Sequence, residues 1–144
     1  MKLVLDCDPG HDDAIALLLA LASPEVELIG VTTVHGNQTL EKTTENALRV
    51  LELVGRADVP VARGADRPLA RELRVAAHVH GESGLDGPEL PPATAAPVEQ
   101  HAVDFLLEHA DDDVVLVPTG PLTNVALALD RGLRAQRIAP PIST

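Results

Sequence analysis

Asp6, Asp8, Asp12 and Asp13 crowd into one short segment, Leu3-Val4-Leu5-Asp6-Cys7-Asp8-Pro9-Gly10-His11-Asp12-Asp13. Four carboxylates so close together repel one another. Such a cluster persists where a cation sits among them, or where helix N-terminal amides absorb the charge. Oxygen-only ligands favour a hard cation, calcium or magnesium, and calcium takes about 6–8 oxygens and accepts bidentate carboxylates. Pro9-Gly10 predicts a sharp turn that brings Asp8 and the Asp12-Asp13 pair towards one point. Capping of a helix by Asp12 or Asp13 is the competing account. It explains one or two of the acids and leaves Asp6 and Asp8 without a reason.

The apolar pattern gives the elements that must position these acids. Leu3 to Leu5 reads as a buried strand, and Ala14-Ile15-Ala16-Leu17-Leu18-Leu19-Ala20 as the helix after it. Ile15, Leu18, Leu19 and Ala22 fall on one helical face, and Ser23-Pro24 ends the helix. Val26 to Val34 predicts a second strand. Leu40, Thr44, Ala47, Leu51 and Val54 line a second helix, closed by Gly55. Val59 to Ala62 predicts a third strand, and Val98, Ala102, Phe105 and Leu106 a third helix. Val114 to Val117 is a fourth strand, and Leu122, Val125, Ala126 and Leu129 a fourth helix. Strand–helix alternation with continuously apolar strands predicts an α/β fold: an open, mostly parallel sheet with helices on both faces and a Rossmann-like core. The acids then sit at the carboxyl end of the first strand, where such sheets place ligands. Gly64 to Pro97 breaks the alternation. Loops of that length are usually functional or disordered, and His78, His80 and Glu82 inside it favour function.

The 144 residues suit one domain with a sizeable core. A net charge of −11 argues against a nucleic-acid groove or an anionic membrane as partner. The single cysteine, Cys7, cannot form an internal disulfide, which suits a reducing cytoplasm. Its acidic neighbours raise rather than activate a thiol. The longest apolar stretch, Ala14 to Ala22, is too short to span a bilayer. The acids that interrupt the first apolar run exclude a signal peptide there.

The segment Asp6-Cys7-Asp8-Pro9-Gly10-His11-Asp12-Asp13-Ala14 resembles the amino-terminal signature of the inosine–uridine-preferring nucleoside hydrolases. Thr32-Thr33-Val34-His35-Gly36-Asn37 resembles the family's second-strand motif. His80-Gly81-Glu82-Ser83-Gly84-Leu85 resembles its His-Gly-rich loop, and Pro118-Thr119-Gly120-Pro121-Leu122-Thr123-Asn124 the turn after its fourth strand. The resemblance runs from Lys2 to about Ile138, so residues 1–138 read as the amino-terminal part of such a domain and 139–144 as a divergent tail.

The resemblance implies calcium-dependent hydrolysis of the N-glycosidic bond of ribonucleosides, giving ribose and free base. It implies that Asp8 touches the metal and is general base for the attacking water. Asp13 is implied as a bidentate calcium ligand, the Thr119 carbonyl as another, and Asp6 as support from the edge. Asp12 is implied to hold a ribose hydroxyl. Asn37 is implied at the sugar, with a helix N-cap as the rival account. His80 is implied at the leaving base, as a contact or proton donor. His11, His35, His101 and His109 receive no chemistry. A homo-oligomer, dimer or tetramer, is implied as well.

Family members are about twice this length by the same resemblance. Their carboxyl half supplies a further calcium aspartate, a histidine and an Asn/Glu cluster for ribose. Ala139-Pro140-Pro141-Ile142-Ser143-Thr144 falls where an apolar central strand is expected, and two prolines do not suit one. The chain therefore reads as truncated, frame-shifted or fragmentary, with an uncovered sheet edge. Weak metal binding and little hydrolysis are expected of it alone.

Two other classes fit parts of the pattern. An apolar strand followed by Asp6-x-Asp8 also opens the haloacid-dehalogenase-like phosphatases, with Asp6 as nucleophile, Asp8 as acid/base and magnesium bound. That family also needs a later lysine, and the chain has only Lys2 and Lys42. A non-catalytic fragment that binds a metal or a partner subunit is the third reading.

Overall fold

Strand β1 (Lys2–Cys7) is buried because it has a strand on each side and a helical layer on each face. The computed structural model describes residues 1–134 and 138–139. After β1 come helix α1 (His11–Ala22), strand β2 (Glu27–Thr33), helix α2 (Leu40–Leu53) and strand β3 (Val61–Arg63). A single helical turn, α3 (Ala77–His80), precedes helix α4 (Ala102–Glu108), strand β4 (Val114–Pro118) and helix α5 (Thr123–Asp130). The strands are all parallel, in the order β3-β2-β1-β4. The expected α/β architecture is therefore present.

Side chains alternate across β1 and build two cores. Leu3, Leu5 and Cys7 pack with Leu17, Ala47, Leu48 and Leu51 beneath α1 and α2. Val4 packs with Ala102, Phe105, Leu106, Val125 and Ala128 beneath α4 and α5. Asp6 shares the face of Val4 and so points towards α5. From β1 the chain adds β2 and β3 on one side, whereas β4 joins the other. The order reverses between β1 and β4, and ligands bind at the carboxyl ends of strands at such a switch point. Asp8 and Thr119 follow those two strand ends.

Several boundaries differ from expectation. On α1, Leu17 is buried and Ala14, Leu18 and Leu21 pack against the core. Ile15 and Leu19, expected in the apolar face, are 64% and 66% exposed. A run of consecutive apolar residues carries no period. The helix is turned instead so that Asp13 is buried against β1, where its carboxylate takes the Asp8 N–H. β3 begins at Val61 rather than Val59, because Pro60 has no N–H to give a ladder. Val98 does not start a helix. It bridges Ala62 in parallel and donates its N–H to the Val61 carbonyl, which the short β3 leaves free. Helix α4 begins at Ala102, where His101 Nδ1 accepts the Val103 N–H at 3.2 Å as the N-cap. Val54 lies past the end of α2 and is exposed. Leu122 and Leu129 are exposed at α5, where Val125 and Ala128 are buried.

Ile138 forms a parallel bridge with Leu116, and the Ala139 N–H donates to the Leu116 carbonyl at 2.8 Å. The edge of β4 is thus partly covered. The rest of the proline-bearing tail, residues 140–144, lies outside the described residues. Among the described residues, no helix is long and apolar enough to cross a membrane.

Candidate functional site

Asp8 is held from three sides. Its Oδ2 accepts the Asn37 main-chain N–H at 2.7 Å, and its carbonyl accepts Asn37 Nδ2–H at 3.0 Å. Its own N–H donates to Asp13 Oδ2 at 3.0 Å. Two glycines make room for the carboxylate. A Cβ on Gly36 would lie 2.1 Å from Asp8 Oδ2, and one on Gly120 would lie 2.7 Å from Oδ1. Gly36 follows β2 and Gly120 follows β4, so the carboxylate is gripped by the loops after the strands that flank β1.

The other acids differ in setting. Asp13 is buried in the first turn of α1, where the helix dipole favours an anion. Asp12 is exposed on the same turn. Neither caps the helix: the N-cap is Gly10. Asp6 is fully buried, and its Oδ1 accepts Thr32 Oγ1–H at 2.6 Å and Asn124 Nδ2–H at 2.8 Å. Its Oδ2 is buried with no partner. Thr119 is exposed, and its N–H donates to the Asp6 carbonyl at 2.8 Å.

Burial dominates the electrostatics. It pushes Asp6 up to about 6, against the Asn124 and Thr32 hydrogen bonds. It pushes Asp8 up to about 8, with the Asp13 charge added and the Asn37 N–H opposing. Asp13 also rises through burial, opposed by its hydrogen bond from Thr119. The Cys7 thiol goes well up, first by burial and then by the four aspartates. It is a buried filler in the α1–α2 core.

Such a donor set suits a hard cation. Burial disfavours both Asp8 and Asp13 as anions, the Asp13 charge disfavours Asp8 further, and Asp6 holds an orphaned buried oxygen. A cation beside Asp8 and Asp13 would offset the first of these conditions. Among the described residues, no three His, Cys, Asp or Glu side chains stand close enough to hold an ion unaided. Other oxygens, such as the Thr119 carbonyl, would have to complete the shell.

Asn37 does not cap α2, whose N-cap is Thr39. His80 ends α3 and lies over the Pro9-Gly10 turn, where a Cβ on Gly10 would approach its Nδ1 to 2.6 Å. The loop after His80 is tied to α2 and to the residue before its N-cap by donors spaced four residues apart. Gln38 Nε2–H donates to the Gly81 carbonyl at 3.0 Å, Lys42 Nζ to the Glu82 carbonyl, and Asn46 Nδ2–H to the Ser83 carbonyl at 2.8 Å. Asn46 Nδ2–H also reaches the Pro9 carbonyl at 3.1 Å. The Asp86 carboxylate closes the loop from its other side, accepting the Glu82 and Ser83 N–H groups and the Ser83 hydroxyl.

Sequence reasoning missed these donors, although their four-residue spacing was visible. It also missed Asn124, which joins Asp6, the Thr33 carbonyl at 3.0 Å and the Ala65 N–H at 2.8 Å. His35, which sequence reasoning gives no chemistry, has a defined place in the structure. It is 3% exposed, bonds through Nε2 to Thr123 Oγ1 at 3.0 Å, and leaves Nδ1 unpaired. Lys2 pairs with Asp113 at the surface and Lys42 is engaged by the loop, so neither lysine serves Asp6 or Asp8.

A cleft of about 610 Å³ is lined by His35, Gly36, Arg71, Arg74, Pro121 and Thr123, among others. Gly36, which lines it, also packs against the Asp8 carboxylate. A separate apolar pocket between α4 and β4, lined by Leu106, Leu116 and Leu133, contains none of the candidate residues.

Comparison with known proteins agrees with the fold. Residues 3–138 match the family model described as inosine-uridine preferring nucleoside hydrolase. The pyrimidine-specific ribonucleoside hydrolase RihA of Photobacterium profundum is 61% identical over 130 residues, 88% of this chain and 42% of that protein. RihA of an Enterobacter species is 56% identical over 133 residues, 90% of this chain and 42% of that protein. Among solved structures, a purine-preferring ribonucleoside hydrolase from Gardnerella vaginalis superimposes with a TM-score of 0.89 at 37% identity, over 96% of this chain and 46% of that one. The chain spans less than half the length of these relatives.

Proposed function

Because the chain belongs to the inosine–uridine-preferring nucleoside hydrolase family, we propose that it carries the metal-and-water half of a ribonucleoside hydrolase site. The reaction breaks the bond between ribose C1′ and the base nitrogen. Water oxygen joins C1′, and the base leaves with the bonding electron pair and acquires a proton. Positive charge grows on the ribosyl centre as the bond breaks, as in other glycoside hydrolyses.

The observation that carries this reading is the grip on Asp8, whose carboxylate is fixed by Asn37, Gly36 and Gly120. A fixed carboxylate is what a general base for water requires. Asp8, Asp13 and the Thr119 carbonyl would hold calcium, with Asp6 in support. Calcium, when bound, lowers the pKa of a water and orients substrate. Asp12, exposed beside them, is assigned to a ribose hydroxyl. Asn37 is assigned to hold Asp8 and face the sugar, and His80 to face the departing base.

Ribonucleosides are the proposed substrate class. The RihA relatives are named pyrimidine-specific, so uridine and cytidine are the first to test. A cytoplasmic location and a homo-oligomeric state belong to the same proposal, as readings from the single cysteine and the family.

The test is ribose release from uridine, cytidine and inosine by the purified chain, with calcium or with chelator, beside Asp8→Ala. Slow calcium-dependent release that disappears in the variant supports the reading. Release that survives both chelator and the substitution overturns it. A folded chain that binds calcium and releases no ribose favours the non-catalytic, metal-binding reading for this chain.

A further inference from the structure

The His11 ring stacks on that of His80, with centroids 5.4 Å apart and planes 24° from parallel. Two close polar contacts join the same pair, and a third ties His11 to Asp86. The His11 main-chain N–H points to His80 Nδ1 at 3.3 Å, the two Nδ1 atoms are 3.2 Å apart, and His11 Nε2 lies 2.9 Å from the Asp86 carbonyl oxygen. Two of these partners are backbone groups whose direction cannot reverse. A carbonyl only accepts, so His11 Nε2 carries a proton. An amide N–H only donates, so His80 Nδ1 presents a lone pair. A neutral His80 that accepts this main-chain N–H keeps its ring proton on Nε2. A neutral His11 with its proton on Nε2 also presents a lone pair at Nδ1, so the Nδ1–Nδ1 approach is a packing contact between two acceptors and not a hydrogen bond.

We propose that His11 is a positioning residue: its ring, stacked on His80, holds the rotamer in which the His11 main-chain N–H reaches His80 Nδ1, and that N–H fixes the tautomer. Through Asp86 it also ties the first turn of α1 to the far end of the His80 loop. The pair spans 69 residues of chain, and the contact forms only because α3 lays His80 across the Gly10 turn. The other devices on this loop act elsewhere. Gln38, Lys42 and Asn46 hold the carbonyls of residues 81–83, and the Asp86 carboxylate holds amides of the same stretch. None of these contacts touches the His80 ring. Its polar neighbour among the described residues is His11.

The chemical consequence rests on the hydrolase reading above. A base departing with an electron pair needs a hydrogen-bond donor, and a histidine locked as the Nε2–H tautomer offers one. A ring free to exchange tautomers offers it only part of the time.

The experiment uses the full chain labelled with 15N-histidine. Two-bond 1H–15N correlation spectra separate the Nδ1–H and Nε2–H tautomers of each ring. They are recorded for wild type, His11→Ala, which keeps the main-chain N–H, and His11→Phe, which keeps the stack. His80→Asn supplies the assignment. Wild-type His80 is expected in the Nε2–H form. Both His11 variants are expected to shift it towards a mixture, more in His11→Ala, with the melting temperature held within a few degrees. An unchanged His80 signature in folded His11→Ala overturns the proposal.

The second arm is ribose release. Where wild type is active, His11→Ala is expected to lower kcat by about 10- to 100-fold, as displaced catalytic groups do, with KM changed far less. His11→Asn, which retains a side-chain donor, is expected to recover part of the loss. Equal kcat and KM in wild type and His11→Ala overturn the proposal. An inactive wild type counts against the hydrolase reading for this chain, and the spectra then decide the His11 inference alone.

Discussion

Asn37 meets Asp8 twice, through its main-chain N–H to Oδ2 at 2.7 Å and through Nδ2–H to the Asp8 carbonyl at 3.0 Å. One residue thus fixes both the carboxylate and the peptide that carries it. Asn37→Ala removes the second bond and keeps the first. The expected cost is about 1 kcal/mol of stability, the usual net worth of a hydrogen bond, read from the urea midpoint. Calcium affinity is expected to fall as well, and an unchanged calcium titration would detach Asn37 from the site.

Gly36 and Gly120 leave no space for a methyl group beside Asp8. Gly36→Ala and Gly120→Ala are each expected to displace the carboxylate and to destabilise the chain by about 1–3 kcal/mol, as overpacking does. Gly36→Ala should be the more damaging, because its methyl meets the oxygen held by Asn37. Calorimetric calcium titration with urea denaturation checks both, and wild-type affinity in either variant contradicts the packing account.

Asn124 satisfies three partners on three segments: Asp6, Thr33 and Ala65. Asn124→Ala leaves buried polar groups unpaired and is expected to cost about 2–4 kcal/mol. Asn124→Asp is expected to be worse, because it sets a second carboxylate against buried Asp6. Chemical denaturation ranks the three proteins, and an Asp variant as stable as wild type would contradict the assigned geometry.

His35 titrates below its ordinary range because burial disfavours its cation. The unfolded chain then takes up a proton before the folded one does. The stability contributed by neutral His35 is present above about pH 6.5, the ordinary histidine value. It is lost as pH falls from there through the lower folded value. Asp6, raised to about 6, slopes the other way and loses stability as pH rises between its ordinary range and 6. The comparison is therefore the difference between wild type and His35→Gln, measured by urea denaturation from pH 8 to pH 5. The gap is expected to shrink as pH falls, and a constant gap would refute the burial argument.

Asn46 holds both the Pro9 and Ser83 carbonyls from the second turn of α2. Asn46→Ala is expected to loosen residues 81–86, seen as faster amide exchange there with little change in the β1–β2 amides. Uniform loss of protection would mean that Asn46 serves global stability instead.

The sequence by itself determined the strand–helix alternation, the parallel sheet and the crowding of Asp6, Asp8, Asp12 and Asp13 after the first strand. These are local patterns: apolar runs, turn residues and like charges too close to be accidental. The order β3-β2-β1-β4, the turn of α1 that buries Asp13 and exposes Ile15 and Leu19, and the role of Val98 as a bridge came only with the tertiary structure. A continuous apolar run has no phase, so packing decides which side faces inward. The contacts of Asn124 with Asp6 and of His11 with His80 join segments 118 and 69 residues apart. No spacing rule reaches that far, because those distances are set by how β4, α5 and the loop after α3 return to the end of β1.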